Sequence, residues 1–125
     1  QVALLAQEKV GCQYSQDLRY EEGYYDCSSL VQRCYAQFGV NLPSVASTQG
    51  QYIVDNGLQV SENELRPGDL IFHARDDNAD EFMSIGHVAI YVGNGMQVDA
   101  RGTAYGVVYR PLVPSNIGLY GRPCR

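Results

Sequence analysis

Asp26 to Gly39, DCSSLVQRCYAQFG, is the stretch that decides the fold. Cys27, Leu30, Val31, Cys34, Tyr35 and Phe38 recur at steps of three and four, which lays one apolar stripe along about three turns of helix. Asp26 precedes the stripe as a good N-cap, since its carboxylate can accept from the unpaired N–H groups of a first helical turn. Gly39 is a fitting C-terminal stop. A one-sided helix needs a surface to cover, and the chain on either side shows what that surface is.

Upstream, Val2, Leu5, Ala6 and Lys9 carry a helical spacing through Gln1–Val10, ended by Gly11. Cys12–Tyr25 is polar, rich in tyrosine and aperiodic, and reads as a loop. Downstream, a shorter helix is expected over Ser47–Val54, stopping near Asn56-Gly57. Beyond Gly57 the period changes from helical to strand-like. Arg66-Pro67-Gly68-Asp69 is a turn, and Leu70-Ile71-Phe72 suits a short strand. His87–Val92 reads as a second strand, closed by Gly93-Asn94-Gly95 as a hairpin turn with Met96–Ala100 returning. Gly106–Leu112 supplies another strand, Pro111 and Pro114 break regularity, and Leu119–Pro123 is expected as a last edge strand. Helices followed by an antiparallel meander predict an α+β chain, with N-terminal helices packed on an antiparallel β-sheet.

At 125 residues one domain over 1–125 is expected, and 45% apolar with 18% charged residues is an ordinary globular composition. The net charge of −5 and the scatter of one lysine and eight arginines argue against nucleic-acid binding. No window approaches the roughly 20 apolar residues of a membrane span. The chain opens at Gln1 inside a helical pattern, as expected of a domain cut from a longer protein or of a processed form. Its four cysteines, Cys12, Cys27, Cys34 and Cys124, contain no C-x-x-C pair, which argues against a zinc ribbon or a thioredoxin-like site. A Cys12–Cys124 bridge between the two ends and a pair of unpaired thiols both stay open.

Cys27 stands one residue after the N-cap, where the helix dipole favours negative charge and so a thiolate nucleophile. Cys34, seven residues on, fits a buried core cysteine. His87 opens a strand after Gly86, so its imidazole can lie beside the helix start and act as base. His73, followed by a charged loop, is expected at the surface. Asp99 falls near the expected antiparallel partner of His87 and can orient the imidazole, and a carboxylate between Val98 and Ala100 needs a partner if buried. The free backbone N–H of Cys27 is a candidate oxyanion donor. Tyr14 could add a phenol, though spacing does not single it out from ten tyrosines. A zinc site built from Cys27, His87 and Asp99 is a rival on residue types alone.

Three segments then converge on a resemblance. DCSSLV (Asp26–Val31) resembles the nucleophile motif of the NlpC family of cell-wall cysteine peptidases. RPGDLIF (Arg66–Phe72) and GHVAIYVGNG (Gly86–Gly95) resemble the family's segments leading to and carrying its histidine, and Tyr14-Ser15-Gln16 its tyrosine segment. The resemblance implies a papain-like fold, Cys27 as nucleophile, His87 as base and Asp99, twelve positions after the histidine, as the third polar residue, a place where the family often has histidine. It further implies Tyr14 beside the oxyanion, Asp26 and Ser28 holding the amino end of the substrate, and Ser47 lining the same groove. The implied partner is the peptidoglycan stem peptide, cut between γ-D-glutamate and the diamino acid (meso-diaminopimelate or L-lysine) through a thioester. No metal or cofactor is implied. The expected setting is secreted or cell-wall associated, with accessory wall-binding domains outside this segment.

Two departures border the expected cleft. The family's Trp-Gly-Gly is replaced within Gln16–Tyr25, and Ala74–Ile85 is long and acidic. Rival readings are a CHAP-like amidase or cross-bridge peptidase, which shares the RPGDL segment, and an inactive module that binds wall peptide.

Overall fold

The computed structural model describes residues Gln1–Pro123. Its central helix is the one the apolar stripe predicts, spanning Cys27–Ala36; with Val2–Glu8 and Ala46–Asp55 before and after it, the three are α2, α1 and α3. Asp26 closes α2 by a reciprocal cap. Its Oδ1 accepts from the Ser29 N–H at 2.8 Å, and the Ser29 hydroxyl accepts from the Asp26 N–H at 2.9 Å. Leu30, Val31, Cys34 and Tyr35 bury as expected. Phe38 does not: it lies past the last turn and is 48% exposed, because Gly39 turns the chain away at φ +80. Helix α1 is shorter than its sequence pattern, with Lys9 as its C-cap.

The expected loop Cys12–Tyr25 contains two short strands, β1 (Gln13–Tyr14) and β2 (Tyr24–Tyr25), paired in parallel. The remaining strands are β3 (Gln59–Val60), β4 (Leu70–Ala74), β5 (Ile85–Gly93), β6 (Met96–Gly102), β7 (Gly106–Pro111) and β8 (Ile117–Gly121). Among the described residues these six form one antiparallel sheet in the order β3-β8-β4-β5-β6-β7. The last strand is therefore not an edge strand as its sequence suggested. The two-residue β3, too short to show a period, covers its outer side.

Alternation sorts the two faces of the sheet. Leu70, Phe72, Val88, Ile90, Val98 and Ala100 share one core with Leu30 and Val31 of α2, Val2 and Ala6 of α1, and Ile53 of α3. The intervening residues, Ile71, His73, His87, Ala89, Gln97 and Asp99, carry the other face, and each is buried as well. The segment after β7 crosses that second face. Val113 donates its N–H to Gln97 Oε1 at 3.1 Å, and the Ser115 carbonyl meets His73 Nδ1 at 3.2 Å.

At the far end of the sheet, β1 is tied to β7. Val107 N–H donates to the Cys12 carbonyl at 2.9 Å, and Gly11 N–H to the Val107 carbonyl at 3.0 Å. Gly106 permits this approach: at φ +69, a Cβ there would stand 2.3 Å from the Cys12 carbonyl oxygen. That close pairing places Tyr14 at the cleft. Cys124 lies outside the described residues, and with it the bridge to Cys12 considered above.

Candidate active site

Cys27 is the first residue of α2, so its own N–H has no acceptor inside the helix and points, with the dipole, out of the helix start. The turn is pinned from below by Gln49 of α3. This fully buried side chain donates to the Ser28 carbonyl at 3.0 Å and to the Pro43 carbonyl at 2.9 Å.

His87, near the start of β5, is 5% exposed. Its Nε2–H donates to Asp99 Oδ2 at 2.8 Å. With Nε2 so engaged, Nδ1 is the nitrogen that meets the Cys27 thiol, with which the imidazole also hydrogen-bonds. Burial alone would lower the imidazole's pKa; the bonds to Asp99 and Cys27 outweigh it and raise it to about 9. With Ile90 opposite Val98, Asp99 falls opposite Ala89, two residues along the same face from His87, so the contact is a diagonal one.

Asp99 is fully buried and is not a strand-end surface carboxylate. Burial opposes its ionisation, but bonds from His87, Arg110 and Gln97 hold its carboxyl well below the usual carboxylate range. Arg110 of β7 supplies Nε and Nη2 at 3.0 and 2.6 Å, and Gln97 Nε2 adds a bond at 3.1 Å. Nothing in the sequence period marked Arg110, whose role comes from the β6–β7 register that sets it opposite Gln97.

His73 corrects the sequence reading. It lies inside β4, directly opposite His87, and is 7% exposed, with the two rings 5.8 Å apart and tilted by 44°. The strand runs two residues further than Leu70–Phe72, and the β7–β8 segment covers this end of it. Burial pushes its imidazole down, so it stays neutral. A carbonyl can only accept, so Nδ1 is the protonated nitrogen facing Ser115, and Nε2 keeps a lone pair that is buried without a hydrogen-bond partner among the described residues.

The other expected residues gather unequally. Tyr14 is half-buried, and its phenol is pushed up by burial and by the negative charges of Cys27 and Asp26, which places it near Cys27. Asp26 and Ser28 flank Cys27, yet both are taken by Arg19. Its Nε lies 3.2 Å from Asp26 Oδ1, and its Nη2 donates to the Ser28 hydroxyl at 3.1 Å and to the Ser44 carbonyl. Ser47, at the start of α3, donates to Glu81 of the acidic loop at 2.7 Å. Among the described residues no group of three or more His, Cys, Asp and Glu side chains is arranged to hold a metal ion.

The chain is similar to known proteins over most of its length. The family model described as NlpC/P60 family matches residues 11–117. A probable endopeptidase p60 of Listeria seeligeri is 36% identical over 96 residues, covering 77% of this chain and 16% of that protein. The peptidoglycan DL-endopeptidase CwlO of Bacillus licheniformis is 42% identical over 71 residues, 57% of this chain and 14% of that protein. The chain thus spans about one sixth of the length of these relatives. The structure of NlpC1 from Trichomonas vaginalis superposes with a TM-score of 0.83 at 29% identity, over 97% of this chain and 42% of that one.

Proposed function

This chain belongs to the NlpC/P60 family, and from that premise we propose that it is a cysteine endopeptidase of the peptidoglycan stem, cutting between γ-D-glutamate and the diamino acid. The observation that carries the reading is the linked set Cys27, His87 and Asp99, with the thiol at a helix N-terminus and the imidazole held at 2.8 Å by a buried carboxylate. The name of the CwlO relative, a DL-endopeptidase of peptidoglycan, supports a bond between a D and an L residue.

In this mechanism the Cys27 thiolate attacks the γ-carbonyl of D-glutamate, and the carbonyl π pair moves to oxygen. The Cys27 N–H and the Tyr14 hydroxyl face that oxyanion. As the tetrahedral intermediate collapses, the C–N bond breaks and the His87 imidazolium gives its Nδ1 proton to the leaving amine of the diamino acid. Water then attacks the thioester, with neutral His87 taking its proton, and Cys27 leaves as thiolate. Asp99 keeps Nε2 protonated and the ring in plane throughout. Asp26, Ser28 and Ser47 belong to the wall of the non-leaving side. No metal or cofactor enters these steps. The substrate sets the rest of the proposal: a single catalytic domain over 1–125, secreted or attached to the wall, with accessory wall-binding domains outside this segment.

The test is a digest of defined muropeptides read by mass spectrometry, with Cys27→Ala as control. Products ending in γ-D-glutamate, absent with the variant, are expected. Cleavage at the sugar–peptide amide would replace this reading with the amidase, and binding without cleavage would replace it with the wall-peptide module.

A further inference from the structure

Ser47, expected to line the groove, is 5% exposed and gives its one hydroxyl proton to Glu81 Oε1 at 2.7 Å. A carboxylate only accepts, so Ser47 has no second proton left for a substrate. Glu81 is exposed and comes from the loop between β4 and β5. Among the described residues its other carboxylate oxygen accepts no hydrogen bond, and its charge makes no ion pair. The loop that carries it is folded: Phe82 packs against the core, and the Arg75 N–H donates to the Ser84 carbonyl at 2.8 Å. Gln49, in the same first turn of α3 as Ser47, bonds to the Ser28 carbonyl at 3.0 Å, so the Ser47–Glu81 pair stands within a turn of the residues around Cys27. The cation on this wall, Arg19, is matched by Asp26 at 3.2 Å. Arg75 lines the cavity at His73 and Arg110 instead, and the other charged residues of the loop, Asp76, Asp77 and Asp80, add only negative charge.

We propose that Glu81 is a specificity-determining residue, which makes the chain prefer stems whose D-glutamate carries an α-carboxamide over stems whose α-carboxylate is free. The proposal rests on the peptidase reading above. With the γ-carbonyl at Cys27, the α-carbon of D-glutamate follows two methylenes away on the non-leaving side. Two groups branch from that carbon: the amide that leads to the amino end of the stem, and the α-carboxyl. The amino end runs toward Asp26 and Ser28, so the α-carboxyl turns to the remaining part of the same wall, where Ser47 and Glu81 stand. There the protein offers lone pairs and no proton. A carboxamide brings two N–H donors, one of which meets the open oxygen of Glu81 in a charge-assisted hydrogen bond. A carboxylate brings acceptors alone and a second negative charge, and like charges at close range repel. Arg19 does not offset this, because its charge is balanced by Asp26 and its Nη2 is bonded to the Ser28 hydroxyl and the Ser44 carbonyl.

The experiment compares kcat/KM on two muropeptides that differ only in the D-glutamate α-carboxyl, free in one and amidated in the other, for wild type and for Glu81→Gln. Wild type is expected to favour the amidated stem about tenfold. Glu81→Gln keeps the size of an exposed side chain and still accepts from Ser47, but it removes the charge and adds a donor. It is expected to reduce the preference to about twofold or less, chiefly by raising kcat/KM on the free-acid stem. Equal or better cleavage of the free-acid stem by wild type overturns the proposal while the peptidase reading stands. So does a change with Glu81→Gln that is the same for both stems, which is what a residue that only ties the loop to α3 would give. Failure of wild type to cut either stem beyond the Cys27→Ala background removes that reading and this proposal with it.

Discussion

Arg110 and Asp99 form a two-point ion pair: Nε reaches Oδ1 at 3.0 Å and Nη2 reaches Oδ2 at 2.6 Å, the same oxygen that accepts from His87. The carboxylate that steers the imidazole is thus itself steered, from the neighbouring strand. Arg110→Ala leaves a fully buried charge short of a partner. Breaking a fully buried pair costs about 3–5 kcal/mol, and the 23% exposure of the Arg110 side chain brings the expected loss to about 1–3 kcal/mol. Arg110→Lys is expected to recover stability in part but not kcat at saturating substrate, since an ammonium cannot make two parallel bonds. Thermal unfolding and kcat on both variants check this; wild-type kcat in Arg110→Lys would reduce the guanidinium to a structural charge.

The second prediction concerns pH. His87 is held at about 9 although its burial pulls the other way, and the bond to Asp99 is the larger of the contributions that hold it up. Because the folded value lies above the ordinary 6.5, the stability this ion pair contributes is fully present below that pH and is lost as pH rises through about 9. The alkaline limb of kcat/KM, where the imidazolium can no longer protonate the leaving amine, belongs near the same value. Asp99→Asn removes the anion, so the limb moves to lower pH, and kcat falls by up to about 10⁴-fold. A profile with an unmoved alkaline limb would take Asp99 out of the relay.

Arg19 gives the third. Its guanidinium lies on Asp26 and Ser28, where a free amino end of a stem would compete with it. Stems whose first amine is acylated, as in intact wall, meet no such competitor. Arg19→Ala is expected to lower KM for free-amine stems about twofold to fivefold, the worth of one partly exposed ionic contact, with little change for acylated ones. Michaelis constants for an acylated and a free-amine stem, on both proteins, decide it; parallel changes would mean that Arg19 only ties the loop down.

The sequence showed much of this protein through local rules. The stripe from Cys27 to Tyr35 with Asp26 before it is a property of one helix, and it located both the helix and Cys27 at its start. The hairpin turn at Gly93–Gly95 likewise set β5 against β6 and brought His87 and Asp99 together. The misreadings came where a residue's surroundings are non-local. His73 looked like a surface residue because its neighbours in sequence are charged, yet it is buried because β5 lies opposite it and the 112–116 segment crosses over it. The strand at Ile117–Gly121 looked like an edge until the two-residue β3 paired with its outer side. Arg19 and Arg110 carried no signal, since an arginine on a loop or strand is marked as a partner only by the carboxylate it reaches.

What the sequence determined by itself, then, was the helix with its cap, the antiparallel hairpin, and the places of Cys27, His87 and Asp99 on them, because each rests on a period or a turn within some fifteen residues. What only the tertiary structure decided was the charge around them: Arg19 on Asp26 and Arg110 on Asp99. Those pairings join residues from separate strands and loops, and the strand register and chain crossings that bring them together are set by burial of the whole core and not by any local pattern.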